Sequence, residues 1–379
     1  MKKNINYNKK FKYNVCICGV GRLGLPLALN YSAYSKLSVL GYDINKNYID
    51  LLNKKKFNSF EPGVNHLLKK TNNHFSSKIS DILHSENLII CVRTDSKKNG
   101  SYDLKYIYKF ISNLNKEIIN NNFEHSIKSI IINCNVNPGT CKKVEDSIVD
   151  KNIEVYFWPE WVKQGSILND QQFPSFAILG HLKKKNNIKK VKEIVKKSSR
   201  KKNLEIVLMK SLESEIAKIS LNCYLTVKIS YANMIANLCE SIGLNSDLIL
   251  NTIGKDPRIN NHFFKPGYGY GGPCLPRDNK ALVSFSKKIG SKLHLCLAAD
   301  KVNDDRHKFL VNKKINKYKE DKKPIEISSL SYKKDIPIFV ESQQLRLALD
   351  LKSKKIPLKI KESKKFVSIL KKEFPKIKI

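Results

Sequence analysis

No stretch of this 379-residue chain is apolar for long enough to cross a bilayer, so a helical membrane protein is not expected. The start, "MKKNINYNKKFKYN", is basic but leads only into the short run "VCICGVG" and not into the apolar region of a secretory leader, so a cytoplasmic protein is expected. None of the nine cysteines falls in a CxxC or in a Cys/His cluster with zinc spacing, and Cys16, Cys18 and Cys91 sit inside apolar, strand-like runs. Neither a disulfide framework nor a metal site is expected. Acidic residues are scarce as well: 34 against 70 basic ones leave a formal charge of +36, which favours anionic partners. The lysines are nevertheless spread over nearly every segment. With no basic stripe interleaved with aromatics and no reading module, specific nucleic-acid binding is not expected.

What the chain does contain is enough apolar residue, 41%, for ordinary cores, and its length predicts roughly two to three domains. From Val15 the sequence runs "VCICGVGRLGLPLALNYSAYSKLSVLGYDIN", a short strand, a GxGxxG turn, a helical pattern and a second strand ending at Asp43. In such a βαβ unit Gly19 permits the tight turn, Gly21 lets the backbone approach a pyrophosphate and Gly24 lets helix and strand pack. The helix N-terminus adds unpaired N–H groups and a positive dipole. Asp43 follows Gly24 by the roughly 20 residues expected of an acid that bonds an adenosine ribose, which favours NAD over NADP.

Further strand-like runs at 87–92, 129–136 and 153–160 alternate with polar helical stretches, the pattern of a doubly wound parallel sheet in an α/β protein. Ligands in such sheets lie at the C-terminal strand ends, which here carry Thr94, Asn135 and Glu160; each could equally be a polar loop cap. Residues 211–242 contain neither Gly nor Pro, and their apolar positions recur at helical spacing, so they predict one amphipathic helix of roughly 48 Å. That is too long for one small domain, so the helix is expected to link domains and to pair with its copy in a homodimer. Lys218 and Asn222 stand one turn apart on it.

The segment "PGYGYGGPCLPRD" (266–278) sets one cysteine, Cys274, among glycines and prolines with Asp278 four residues on. Glycines allow close approach of a ligand and prolines stiffen the frame, so the loop is shaped to hold something, although a tight surface turn with an incidental thiol has the same composition. Helical patterns follow at 279–290 and 294–319, and a strand, helix, strand unit near the C-terminus.

Six segments in order, "GVGRLGLPLA" with Asp43, "FEPGV", "CVRTD" with "YDL", "VNPGT", "PEWVKQG", and "EIAKISLN" followed by "PGYGYGGPCLPRD", resemble the UDP-glucose/GDP-mannose dehydrogenase family. The resemblance implies a Rossmann domain over 1–203, a central helical domain with the cysteine loop over 204–310, and a shortened sugar-nucleotide α/β domain over 311–379. It implies NAD as cofactor, held through Gly19, Val20, Gly21, Leu23, Gly24, Asp43, Thr94, Asn135 and Arg277. The implied chemistry is oxidation of the C6 alcohol of a nucleotide-linked hexose, UDP-glucose by preference, to a carboxylate in two hydride transfers. Cys274 would form the thiohemiacetal and thioester, with Lys218, Asn222, Asp278 and Glu160 as the other catalytic residues. Substrate contacts are implied for Glu160, Trp161, Val162, Lys163, Gln164 and Lys218, for Phe263, Phe264, Pro266, Gly267 and Gly271 around the cysteine, and for Lys333.

The chain departs from the family pattern at Trp158, Gln164, Asn135 and Val340, where the family carries a small or polar residue, a second glutamate, a threonine and an arginine. Two other readings therefore stand beside the dehydrogenase: a non-catalytic nucleotide-sugar-binding descendant, and a two-electron hydroxyacid-type dehydrogenase on the same plan, which needs no cysteine nucleophile.

Overall fold

The computed structural model describes residues 11–183, 186–333 and 335–377, so most of the basic N-terminal segment lies outside the described residues. The chain divides into two compact units, one of residues up to Lys97 with Tyr102–Lys218, the other of Lys98–Ser101 with Ile219–Ile379.

The first unit is built on the βαβ start the glycines announce. Strand β1 (Tyr13–Cys18) leads into helix α1 (Gly24–Tyr34) and parallel strand β2 (Val39–Tyr42). Helices α2 (Lys46–Asn53) and α3 (Val64–Lys70), strand β3 (His74–Ser76) and strand β4 (Ser85–Ile90) follow. A short ribbon, β5 (Asp95–Ser96) against β6 (Tyr102–Asp103), precedes α4 (Lys105–Asn120), β7 (Ser129–Ile132), α5 (Thr140–Ser147) and β8 (Glu154–Phe157). Helix α6 (Ile167–Gln172), β9 (Ala177–His181), α7 (Ile188–Lys197) and β10 (Ile206–Lys210) complete it.

The eight-stranded sheet has the order β10-β9-β8-β7-β4-β1-β2-β3. From β3 to β8 every pair is parallel, in the order of a doubly wound dinucleotide fold, as the alternating strands and helices predict. Beyond β8 the structure adds to the expectation: β9 runs antiparallel to β8, and β10 lies parallel to β9. Side chains such as Val15, Ile17, Leu27, Leu29, Ile89, Ile131 and Leu179 form the core between sheet and helices. Burial on both faces is why these strands read as continuous apolar runs and not as alternation.

Helix α8 (Ser211–Ser241) is within a residue of the predicted span and belongs to both units. Its sidedness is unusual. Apart from Ile219, the buried side within the second unit is mostly small and polar, with Cys223, Thr226, Ser230, Ala232, Asn233 and Ala236, whereas Tyr224, Tyr231 and Leu238, with Ile242 just past the helix, are 65%, 47%, 60% and 64% exposed. Small buried side chains let neighbouring helices approach closely, and the large apolar ones are left facing outward.

The rest of the second unit consists of α9 (Ser246–Ile253), α10 (Leu275–Lys288), α11 (His294–Asp321), β11 (Ile325–Ile327), α12 (Gln343–Ser353), β12 (Leu358–Ile360) and α13 (Lys364–Glu373). Strands β11 and β12 pair in parallel, and Ile325, Ile327, Leu330, Phe339, Leu345, Leu347, Leu351 and Leu370 give this C-terminal part a core of its own.

Candidate active site

In the first unit the three glycines after β1 differ in what each allows. Gly19 has φ +99°, and a side chain there would press on the Cys91 carbonyl at 2.9 Å. Gly24 lies so close to Gly19 that a Cβ would collide with its carbonyl oxygen. At Gly21 nothing stands within 4 Å of where a Cβ would be, so this position keeps room beside the backbone at the N-terminus of α1, which carries no side-chain cap. Val20 is fully buried and its carbonyl accepts from the Tyr48 hydroxyl at 2.8 Å, while Leu23 is the N-cap residue. Asp43, just past β2, accepts from the Asn45 N–H at 3.0 Å. Burial raises its carboxyl above the ordinary range, while the Asn45, Val20 and Ile44 N–H groups pull it down; the carboxylate therefore faces the glycine turn. Thr94 is buried and Asn135 half-buried, each a few residues beyond its strand. An open cradle at a helix N-terminus with a carboxylate beside it fits a dinucleotide.

A second cluster in this unit surrounds Glu160. The Lys218 ammonium, on a side chain 7% exposed, donates to the Glu160 carbonyl oxygen at 2.6 Å and stands 4.3 Å from the Trp161 ring centroid. Burial lifts the Glu160 carboxyl to about 7, against the pull of Lys218, Asn133 and Gln171 and with a small push from Asp170. A carboxyl held there can give or take a proton at neutral pH. Asn133 and Gln171 are contributors that sequence reading missed: Asn133 is a buried amide just past β7 whose NH2 donates to the Trp158 carbonyl at 2.6 Å, and Gln171 donates to Glu160 at 3.4 Å.

Two further carboxylates shape the loops. Glu61, of "FEPGV", accepts from the Gly165 N–H at 2.8 Å and the Ile167 N–H at 2.7 Å, pinning the stretch that carries Trp161, Val162, Lys163 and Gln164. Gln164 also accepts from Arg22 at 3.3 Å. Glu215, 1% exposed on α8, takes the Gly139 and Cys141 N–H groups and so fixes "VNPGT" at the start of α5, where no side-chain cap exists. The signal for Glu215 was in the sequence: it lies one turn before Ile219, on the side of the helix that turns inward.

In the second unit Cys274 is the N-cap residue of α10 and is exposed, whereas the other eight cysteines are buried or half-buried. Asp278, fully buried one turn along, donates its N–H to the Cys274 carbonyl at 2.8 Å, and its carboxylate accepts from the Asn222 amide at 2.6 Å. The Cys223 thiol reaches the Asp278 carbonyl at 3.6 Å. Arg277 is half-buried in the same helical turn. Of the other predicted contacts, Phe263 is exposed at φ +61°, Phe264 is buried against Tyr231, Pro266 and Lys333 are half-buried, and Gly271 is buried. Gly267 is held at both main-chain groups, by Asn233 at 2.8 Å and Arg306 at 2.8 Å.

Comparison with known proteins supplies the family. The profile of the UDP-glucose/GDP-mannose dehydrogenase family, NAD binding domain, matches residues 13–199, and that of the family's central domain matches residues 212–305. The chain belongs to this family. Its first unit thus contains an NAD-binding domain, consistent with the cradle at Gly21. The Methanocaldococcus jannaschii protein MJ1054 is 30% identical over 73% of this chain, a match spanning only 31% of that protein. A putative UDP-glucose 6-dehydrogenase of Bacillus subtilis, YtcA, is 28% identical over 88% of this chain and 77% of its own length. The fold is that of a solved UDP-glucose dehydrogenase from Pyrobaculum islandicum: TM-score 0.84, covering 96% of this chain and 85% of that one at 21% identity. Among the described residues no helix is long and apolar enough to cross a membrane.

Proposed function

We propose that this chain oxidises the C6 alcohol of a nucleotide-linked hexose, with UDP-glucose to UDP-glucuronate as the first candidate, through a covalent intermediate on Cys274. The observation that carries the reading is the exposed Cys274 thiol at the head of α10, one turn from a buried Asp278 that is itself held by Asn222. A two-electron dehydrogenase has no use for such a thiol. NAD, when bound, supplies the hydride acceptor for both oxidations, so that alcohol, two NAD+ and water give carboxylate, two NADH and three protons.

The chain's own part follows from its groups. The Cys274 sulfur adds to the C6 aldehyde and traps it; loss of the C6 hydride turns the resulting thiohemiacetal into a thioester; water cleaves that bond, releasing the acid and returning the thiol. Lys218 and Asn222, one turn apart on α8, are assigned to stabilising the oxyanion, and Asp278 to holding Asn222 and moving a proton. Glu160, with its carboxyl near 7, is assigned to activating the water. We assign Arg277, Thr94 and Asn135 to the cofactor, and Lys333, in the C-terminal part, to the substrate's diphosphate. The outward apolar face of α8 supports a homodimer, and nine cysteines outside any disulfide suit a reducing cytoplasm. Purified protein with NAD and a panel of UDP- and GDP-sugars, followed by the absorbance of the reduced cofactor, tests the reading; no turnover on any of them overturns it.

A further inference from the structure

The loop that carries Cys274 is held first by helices. Gly267 is fixed by Asn233 and Arg306, and Asn303 takes both main-chain groups of Tyr270, at 2.8 and 3.0 Å. Nearer the cysteine the support changes. The Gly272 N–H donates to the Glu341 carbonyl at 3.1 Å, and a Cβ on Gly271 would collide with that same oxygen. A Cβ on Gly272, which sits at φ +75°, would stand 2.6, 2.8 and 3.0 Å from three ring atoms of Tyr332. The ring is thus the floor under the residue two before the thiol, and the backbone that carries it is held by the Tyr332 main-chain N–H, which donates to the Ile338 carbonyl at 2.7 Å. The exposed Lys280–Glu341 pair at 4.0 Å adds little to this.

We propose that Tyr332 is a positioning residue for Cys274: its ring carries the Gly271–Gly272 turn, so the C-terminal part of the chain sets where the thiol stands. The proposal rests on Cys274 being the nucleophile. The Tyr332 hydroxyl agrees with the placement, since burial raises its pKa and charge on Cys274 raises it further. It also accounts for the paired glycines of "YGGPC": any side chain at the second one meets the ring, and at the first the Glu341 carbonyl.

The test pairs amide hydrogen exchange with kinetics. In Tyr332→Ala, exchange of the Gly272 amide should quicken about tenfold or more and kcat should fall about tenfold, with NAD affinity within about twofold of wild type. Tyr332→Phe, which keeps the ring, should match wild type in both. Unchanged exchange and kcat in Tyr332→Ala would overturn the proposal, as would Tyr332→Phe behaving like Tyr332→Ala. Should Tyr332→Ala not fold, Tyr332→Leu, which keeps apolar bulk without the ring, decides: a quicker Gly272 amide with lowered kcat supports the proposal, and wild-type behaviour in both overturns it. If wild type turns over no sugar nucleotide, the functional reading falls, while the exchange data still decide whether the ring holds the loop.

Discussion

Asn222 donates to the fully buried carboxylate of Asp278 at 2.6 Å, joining helix α8 to the first turn of α10 behind Cys274. Asn222→Ala removes a donor from a carboxylate that water cannot reach, so it should cost about 1–3 kcal/mol of stability as well as activity. Asn222→Asp should cost more, because two carboxylates would then share the site. Denaturant titration checks both; an Asn222→Ala protein as stable as wild type would show that the bond does not hold the helices together.

The three glycines after β1 should respond differently to a single methyl group. Gly21→Ala has open space for its Cβ and should fold like wild type, yet bind NAD about tenfold or more weakly because the methyl occupies the cradle. Gly24→Ala has no space and should lose stability first. Thermal melts with calorimetric NAD titration separate the two, and the same titration should show NAD preferred over NADP, as the Asp43 carboxylate requires.

Glu160 gives a pH dependence of definite sign. Its folded carboxyl lies near 7 against an ordinary 4.5, so between those values the folded chain holds the proton more tightly than the unfolded one. This contribution is full below pH 4.5 and is lost as pH rises through 7. Glu160→Gln cannot ionise; relative to wild type it should gain about 1–3 kcal/mol on going from pH 4.5 to 8. A difference between the two proteins that does not change with pH would contradict the buried setting of the carboxyl.

The outward face of α8 should be an interface. Tyr231→Asp with Leu238→Asp places charge on the stripe that Tyr224, Tyr231, Leu238 and Ile242 expose, and should turn a dimer into a monomer by light scattering at micromolar concentration. Wild type that is already monomeric there would refute the pairing.

How much of this was legible follows from what each element buries. The doubly buried strands β1, β4, β7 and β8 announce themselves as apolar runs, and α8 as a span without Gly or Pro. Strand β3 has only three residues and carries little strand signal, whereas the apolar run of β10 gives no sign that it is a half-exposed edge of the same sheet. The antiparallel β9 is set by its pairing with β8, which no local pattern encodes. At the site the cysteine, lysine and glycines were readable because their residue types are unusual in their positions. Asn133, Gln171 and Tyr332 were not, since their types are ordinary and only the fold shows what they touch, and Glu61, though inside "FEPGV", gives no sign of its partners at Gly165 and Ile167.

The most direct test of the account is intact-protein mass spectrometry of Cys274→Ser, Glu160→Gln and wild type, each shown to bind NAD and sugar nucleotide and then mixed with both. Glu160→Gln should accumulate the mass of an acyl adduct on Cys274, because it lacks the carboxylate assigned to activating water. Wild type should show reduced cofactor and little adduct, and Cys274→Ser neither adduct nor net acid. Wild-type rates in Cys274→Ser, or neither reduced cofactor nor adduct in wild type and Glu160→Gln, would contradict it.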